Sequence, residues 1–506
     1  MTHTLHSSAF ARAGLLRSTI SCSAFILLTA LTACEKDANT EPLRRAGPAR
    51  ADITGVVTPT HEEAEALRAL AATHGITALV HPAPVRKELV VLGQALLFDP
   101  LLSGNKVMAC ATCHLPKFAT GDARNLSIGE GGSGLGPNRI LGRGLVIPRN
   151  APPLFNLATL QQLFWDGRLS QDANGVVHTP ANEQVTPDML RVFEFGAISA
   201  IGMFPVTNRA EMRGQFPRSL PLTPQLGNEL ALIPDSNFTA IWRAEMVRLG
   251  RIPEYVRMFE AAYPGTPFSS MTFAHASNAM GGFIVDRMSF NNSPWDQFLA
   301  GNDNALGQQE FRGATTFMNT KCSGCHNGVL FTDGKSRNVA LAQFGPGEGN
   351  GVGGHDDFGR INVTGVPTDK YAFRTSPLRN VALTGPWGHA GQFATLRGFV
   401  DHYSESDIKL EHYDVTQIDP SLQGTLLHNT ADILATRSGA LNGFFLTADQ
   451  IDDLTSYLTA LTDDAARDLH VLTPVHVPSG LQVPGGPVLG IGPPVPIVTT
   501  TSSSKR

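Results

Sequence analysis

The sequence predicts a mainly α fold in two halves with loop-rich connections, and three observations carry that expectation. The pentad C-x-x-C-H occurs twice, at Cys110-Ala-Thr-Cys113-His114 and at Cys322-Ser-Gly-Cys325-His326. Apolar residues recur at helical spacing ahead of each pentad and behind the second. Fifty Gly and 34 Pro in 506 residues predict long irregular connections between the helices. C-x-x-C-H is the attachment signature of c-type haem: the two thiols bond to the porphyrin and the adjacent His ligates the iron. A zinc site would need four ligands and a second Cys pair close by. A thioredoxin-like redox pair does not need the His. Each half therefore reads as a cytochrome-c-like haem domain, and the cofactors as two covalently bound c-type haems.

The bulk numbers agree. A chain of 506 residues has room for two or three domains with sizeable cores. A composition 42% hydrophobic and 16% charged is that of a soluble globular protein. The net charge of −5 and the absence of basic runs argue against a nucleic-acid partner. Of six cysteines, four belong to the pentads. Cys22 and Cys34 lie in and at the end of an N-terminal apolar stretch, so no pair remains for a structural disulfide in the mature chain.

In chain order, Arg12 and Arg17 precede an apolar run over 20–33, too short for a membrane span and built like a signal peptide over 1–33. Its ending, Leu31-Thr-Ala-Cys34, resembles a lipobox, which would make Cys34 the lipidated first residue; the alternative is an ordinary cleaved signal. Either way the destination is outside the cytoplasm, the periplasm, with any membrane contact made through a lipid anchor at Cys34. Residues 34–59 are polar and small, and read as a flexible tether.

The first haem domain is expected over 60–290. Ala64, Leu67, Leu70 and Ala71 predict a helix over 61–74, and a second helix runs from Leu92 to a stop at Pro100. Asp235-Ser236 is placed to cap a helix to Leu249, Pro253 opens another, and a third covers 273–288. Its stripe of Phe273, Met280, Phe283 and Ile284 reads as core. The second haem domain is expected over 291–472, with a helix over 303–318 leading into the second pentad. A Gly-rich loop follows over 345–354, and a closing helix runs over 447–461. Beyond Leu472 the chain is rich in Pro, Gly and Val with no packing period, so 473–506 reads as an extended or disordered tail. All eleven Met lie at or before Met318, which excludes by count a His/Met haem built within the second domain.

Several segments, in order, carry a resemblance. They are LGQALLFDPLLSGNKVMACATCH ending at His114, Arg149-Asn-Ala-Pro152, Phe164-Trp-Asp-Gly-Arg168, and Pro205 through Glu211-Met212. The second half adds SPWDQFLAG, Phe373-Arg-Thr375, Leu378 through Thr384, and Gly391 through Leu396. Over roughly 85–465 the chain resembles the bacterial dihaem cytochrome c peroxidase and MauG family. The resemblance implies an oxidoreductase that takes hydrogen peroxide at the His114 haem. Glu211 would be the distal acid/base, in one element with Pro205, and Trp165 an electron relay to the His326 haem. Asn150, with the backbone carbonyls of Thr384 and Pro386, would hold a calcium ion, an oxygen-only site suited to that hard cation. The reductant would be a small redox protein such as a cytochrome, or residues of a protein substrate as in MauG. On composition alone, Glu211 would read as a solvated charge and Trp165 as a core aromatic.

Three departures sharpen the expectation. The family's blocking His, sixteen residues after the haem His, is here Glu130, which predicts an iron with a vacant face. A segment over 171–195 is inserted. The position of a family Gln, ten before the Glu, is Ile201. For the second haem, the family's ligand position, fourteen residues after His389, is Tyr403, as in MauG; His402, His389 and water are the alternatives. Two other classes remain open: a dihaem oxygenase using dioxygen, and a non-enzymatic dihaem electron-transfer cytochrome. The latter requires two six-coordinate irons, and Glu130 in place of His argues against it.

Overall fold

The computed structural model describes residues 59–215 and 228–487, which fall in one compact unit. The expected signal peptide, lipidated Cys34 and nearly all of the tether lie outside the described residues. The longer helices are α1 (His61–Thr73), α2 (Lys87–Phe98), α3 (Phe238–Gly250), α4 (Pro253–Ala262), α5 (Phe273–Arg287), α6 (Gln308–Asn319), α7 (Leu396–Tyr403) and α8 (Ala448–Ala460). Their ends follow from local chemistry. Thr60 and Glu63 form a capping box on α1, and Thr447 and Gln450 form one on α8. Asp99 accepts from Leu101 N and starts the short turn Pro100–Leu102, which ends α2 at Phe98. Asn237, and neither Asp235 nor Ser236, caps α3. Helix α6 begins at Gln308, five residues later than its pattern predicts, because Glu310 reaches back to Gly307 N.

Two hydrophobic cores form. The first is built by α2, α3, α4 and α5, and Cys110 and Cys113 sit against it. The second is built by α6, α8, Trp295 and Phe298, and Cys322 sits against it. Each core has one helix crossing that only glycine permits. A Cβ on Gly93 of α2 would lie 2.0 Å from the Ala279 carbonyl oxygen of α5; one on Gly313 of α6 would lie 1.9 Å from that of Asp453 of α8.

The chain ends cross over, which corrects two expectations. Helix α1, read as part of the first domain, buries Ala64, Leu67 and Ala71 in the second core. Arg68 Nε donates to Phe298 O at 2.8 Å. The tail read as disordered is packed over 473–487: Val477 and Val483 are buried in the first core. Ser479 Oγ and Tyr255 OH both donate to buried Asp99, at 2.6 and 2.7 Å. Isolated valines and one hydroxyl carry no period, so this strap leaves no sequence pattern. Residues 488–506 lie outside the described residues.

Strands are few and short. β1 (Gln162–Leu163), β2 (Leu169–Gln171) and β3 (Val177–His178) form one antiparallel sheet, and β4 (Ser336–Arg337) pairs with β5 (Phe373–Arg374). The inserted segment supplies β3 and buries Ala181, Val185 and Met189 in the first core. Trp165 sits on the turn between β1 and β2. Among the described residues no helix is long and apolar enough to cross a membrane.

Candidate functional site

Each pentad borders a cavity. The first, with about 1150 Å³ of atom-free space, is lined by Cys110, Cys113, His114, Trp165, Arg168 and Glu211 among others. The second, with about 1580 Å³, is lined by Cys322, Cys325, His326, Trp165, Arg374 and Tyr403 among others. All four thiols are free. Both imidazoles are oriented alike: His114 Nδ1 meets Thr120 O at 2.9 Å and His326 Nδ1 meets Phe331 O at 3.0 Å. A carbonyl on Nδ1 fixes the tautomer that leaves Nε2 as the metal-binding nitrogen. Burial pushes the pKa of both rings down, toward the neutral form that binds metal. Paired free thiols, a pre-oriented imidazole and an adjoining cavity fit a covalently held haem at each pentad. Arg374 strengthens the fit at the second. It is buried and lines the cavity with no carboxylate partner, and burial pushes its guanidinium down to about 10. A buried cation without an anion is costly, and a haem propionate would supply one.

Glu211 lies in a single π-turn, Arg209–Arg213, whose start is capped by Asn208 Oδ1 on Ala210 N and Glu211 N. Such turns recur at functional sites. Among the described residues its carboxyl accepts no hydrogen bond, and it lines the first cavity with Pro205. Burial pushes its pKa up to about 7; Arg168 and Arg149 oppose that rise and Glu348 adds to it. A carboxyl poised near neutrality can both take and return a proton.

Position 130 does not face this cavity. Glu130 N donates to Glu211 O at 2.9 Å, and its Oε1 accepts from Asn105 N at 2.9 Å, which turns the side chain away. His114 is the one imidazole lining the first cavity among the described residues. Ile201 packs against the first core and is not part of the cavity wall.

At the second cavity, Tyr403 ends α7 and its hydroxyl has no hydrogen-bond partner, while burial pushes its pKa up. His402, one residue earlier, is turned away: it meets Val339 O at 2.8 Å and lies outside the cavity wall. His389 lines the cavity, but its ring stacks on Phe373 at 3.6 Å and its Nε2 meets Gln343 and Gln392, each at 3.3 Å. Burial pushes His389 down to about 3 and His402 to about 4. No Met lines this cavity among the described residues.

Trp165 and Asn150 line both cavities and form the wall between them. Trp165 Nε1 donates to Asn150 O at 2.8 Å, and Asn150 N donates to His389 O at 2.8 Å. Asn150 Nδ2 donates to Arg124 O and Asn125 O, leaving Oδ1 as an open acceptor. Thr384 and Pro386 line the second cavity with it, and their carbonyls accept no hydrogen bond. Three such oxygens are the donor type calcium takes. Arg149 locks the wall: it forks onto Asp357 at 2.7 and 2.9 Å and reaches Asp166 at 2.6 Å.

Sequence reasoning gave no role to Arg374, although it lies in the Phe373-Arg-Thr375 segment, and missed Glu348; both are in the cavity linings. The signal that could have flagged Glu348 is a single acidic residue between two glycines, Gly347 and Gly349.

Residues 87–304 match the family described as di-haem cytochrome c peroxidase. The cytochrome c551 peroxidase of Pseudomonas aeruginosa is 32% identical over 330 residues, covering 63% of this chain and 72% of that protein. The methylamine utilization protein MauG of Methylorubrum extorquens is 27% identical over 322 residues, covering 63% and 69%. Among solved structures, a MauG-like protein associated with microbial copper homeostasis superposes with a TM-score of 0.50 at 24% identity, covering 77% of this chain and 94% of the other. The diheme peroxidase BthA of Burkholderia thailandensis gives 0.50 at 20% identity, covering 78% and 93%. These two likenesses speak for the fold alone.

Proposed function

The chain belongs to the di-haem cytochrome c peroxidase family and is a dihaem oxidoreductase, and from that premise we propose that it reduces hydrogen peroxide at the His114 cavity. Cys110, Cys113 and His114 would hold one c-type haem there. Cys322, Cys325 and His326 would hold the other, with Tyr403 as a further ligand to its iron. Bound in these cavities, the two haems supply the iron that binds peroxide and the means of storing two oxidising equivalents. Glu211 takes a proton from one oxygen of the peroxide and returns it to the other, so that the second leaves as water. Pro205 closes the wall beside it. Trp165 carries electrons across the wall that both cavities share. Asn150 Oδ1 with the Thr384 and Pro386 carbonyls holds a calcium ion that ties the halves together.

A Tyr403 phenolate on the iron would stabilise the ferric state of the second haem, which favours the MauG-like variant, with residues of a protein substrate as reductant. A cytochrome or other small redox protein is the alternative donor. The site of action is the periplasm, with Cys34 as a lipid anchor.

The observation that carries this reading is the unpartnered Glu211 carboxyl on the cavity where His114 is the one imidazole among the described residues. Glu211→Gln keeps the shape and removes the base. It should slow the reaction of the ferric holo-protein with peroxide by about 10²–10⁴-fold, followed by stopped-flow absorbance, with the resting spectrum unchanged. A wild-type rate in that variant would sink the assignment.

A further inference from the structure

The loop over 345–354 belongs to the second half of the chain, yet Gly347 and Glu348 line the first cavity beside Glu211, Arg149 and Arg168. The loop is fastened in place. Glu348 N donates to Asp356 O at 2.9 Å, Asp356 N to Asn350 O at 3.0 Å, and Gly345 N to Thr425 Oγ1 at 2.8 Å. Gly347 has φ +65°, and a Cβ there would lie 2.2 Å from the His355 carbonyl carbon, so the turn that presents Glu348 requires glycine.

Among the described residues the Glu348 carboxyl accepts no hydrogen bond; its ion pair with Arg149 Nε is long, at 3.6 Å. That guanidinium is already committed to Asp357 and Asp166, and Arg168 also donates to Asp166 at 3.1 Å. Two cations thus meet four carboxyls. Asp166 and Asp357 are hydrogen-bonded to them; Glu211 and Glu348 are not. A like charge in the same cavity disfavours ionisation of Glu211, and Glu348 supplies one. Glu348 is the more exposed of the two: its side chain is 33% exposed, while Glu211 is half-buried.

We propose that Glu348 is a proton-relay residue acting through Glu211, carrying protons from solvent into the first cavity; this rests on the peroxide reading above. Reducing peroxide to two waters consumes two electrons and two protons. The redox-protein or protein-substrate donor supplies the electrons. Each proton passes from the Glu348 carboxyl to the Glu211 carboxylate, and Glu348 is reprotonated from solvent. The electrostatics agree in direction: Glu348 raises Glu211, and burial raises Glu348 itself against the pull of Arg149.

The test is peroxide turnover of the holoenzyme against pH, with saturating donor, in H₂O and D₂O. Glu348→Gln should lower the maximal rate about tenfold or more and enlarge the solvent isotope effect. It should also move the acid limb down by about half a pH unit or more, since the charge opposing Glu211 ionisation is gone. Glu348→Asp should restore most of the rate, and Glu348→Ala repeats the test if Glu348→Gln loses haem. A profile superimposable on wild type overturns the relay. So does a shifted profile with an undiminished maximum, which would leave Glu348 a static charge. If Glu211→Gln also reacts normally with peroxide, the peroxide reading has failed; if only the Glu348 variants are normal, the relay alone has failed.

Discussion

His114 and His326 each give Nδ1 to a backbone carbonyl six or five residues on, so both rings are oriented by the local chain alone, with Nε2 free to take a metal. The pentads made the two His legible as candidate ligands; the carbonyls that orient them come from the fold. Tyr403 was legible only as a count from His389, and the fold adds the reason to prefer it: His402 is turned onto Val339 O and His389 is stacked on Phe373. Tyr403→Phe should therefore change the low-spin EPR signal of the second haem and leave the signal of the first untouched; an unchanged low-spin signal would mean another ligand. On the proposed function, Glu211 sets the pH dependence. Its carboxyl, pushed up to about 7 by burial, must be ionised to take a proton. The peroxide reaction should rise with pH through that region in the wild type and lose this limb in Glu211→Gln. Arg374 and Glu348 were not legible, because their meaning lies in cavities whose other walls come from distant parts of the chain.

At the level of elements, most helices could be drawn from apolar spacing, and their boundaries moved by a few residues where a cap intervened. What periodicity could not supply was the partner of each helix. Helix α1 has a clear apolar stripe at Ala64, Leu67 and Ala71, yet it packs on the later core. The 473–487 strap has no stripe and is held by Val477, Val483 and the Ser479–Asp99 bond. The glycines at the two crossings, Gly93 and Gly313, explain why α2 with α5 and α6 with α8 approach so closely beside their pentads. Gly313→Ala would drive a methyl into the Asp453 carbonyl and push α6 from α8. The expected cost is about 1–3 kcal/mol, read from the denaturant midpoint of the holo-protein. A wild-type midpoint would mean the crossing is looser than described.

At the scale of the molecule's described residues, two cavities share one wall, and residues of both halves build and fasten it. Trp165 and Asn150 come from the first half and Arg374 from the second, and Arg374 N donates to Trp165 O at 2.8 Å. Loop 345–354 crosses in the other direction and delivers Glu348 to the first cavity. Under the proposed function the two cavities act as one oxidising site, with an open iron at His114 and a Tyr403-ligated iron at His326, and the most direct test examines both at once. EPR and optical spectra of the ferric holo-protein are recorded before and after stoichiometric peroxide. The account predicts one high-spin and one low-spin ferric signal at rest, with peroxide altering both. Two low-spin signals that peroxide leaves unchanged would contradict it.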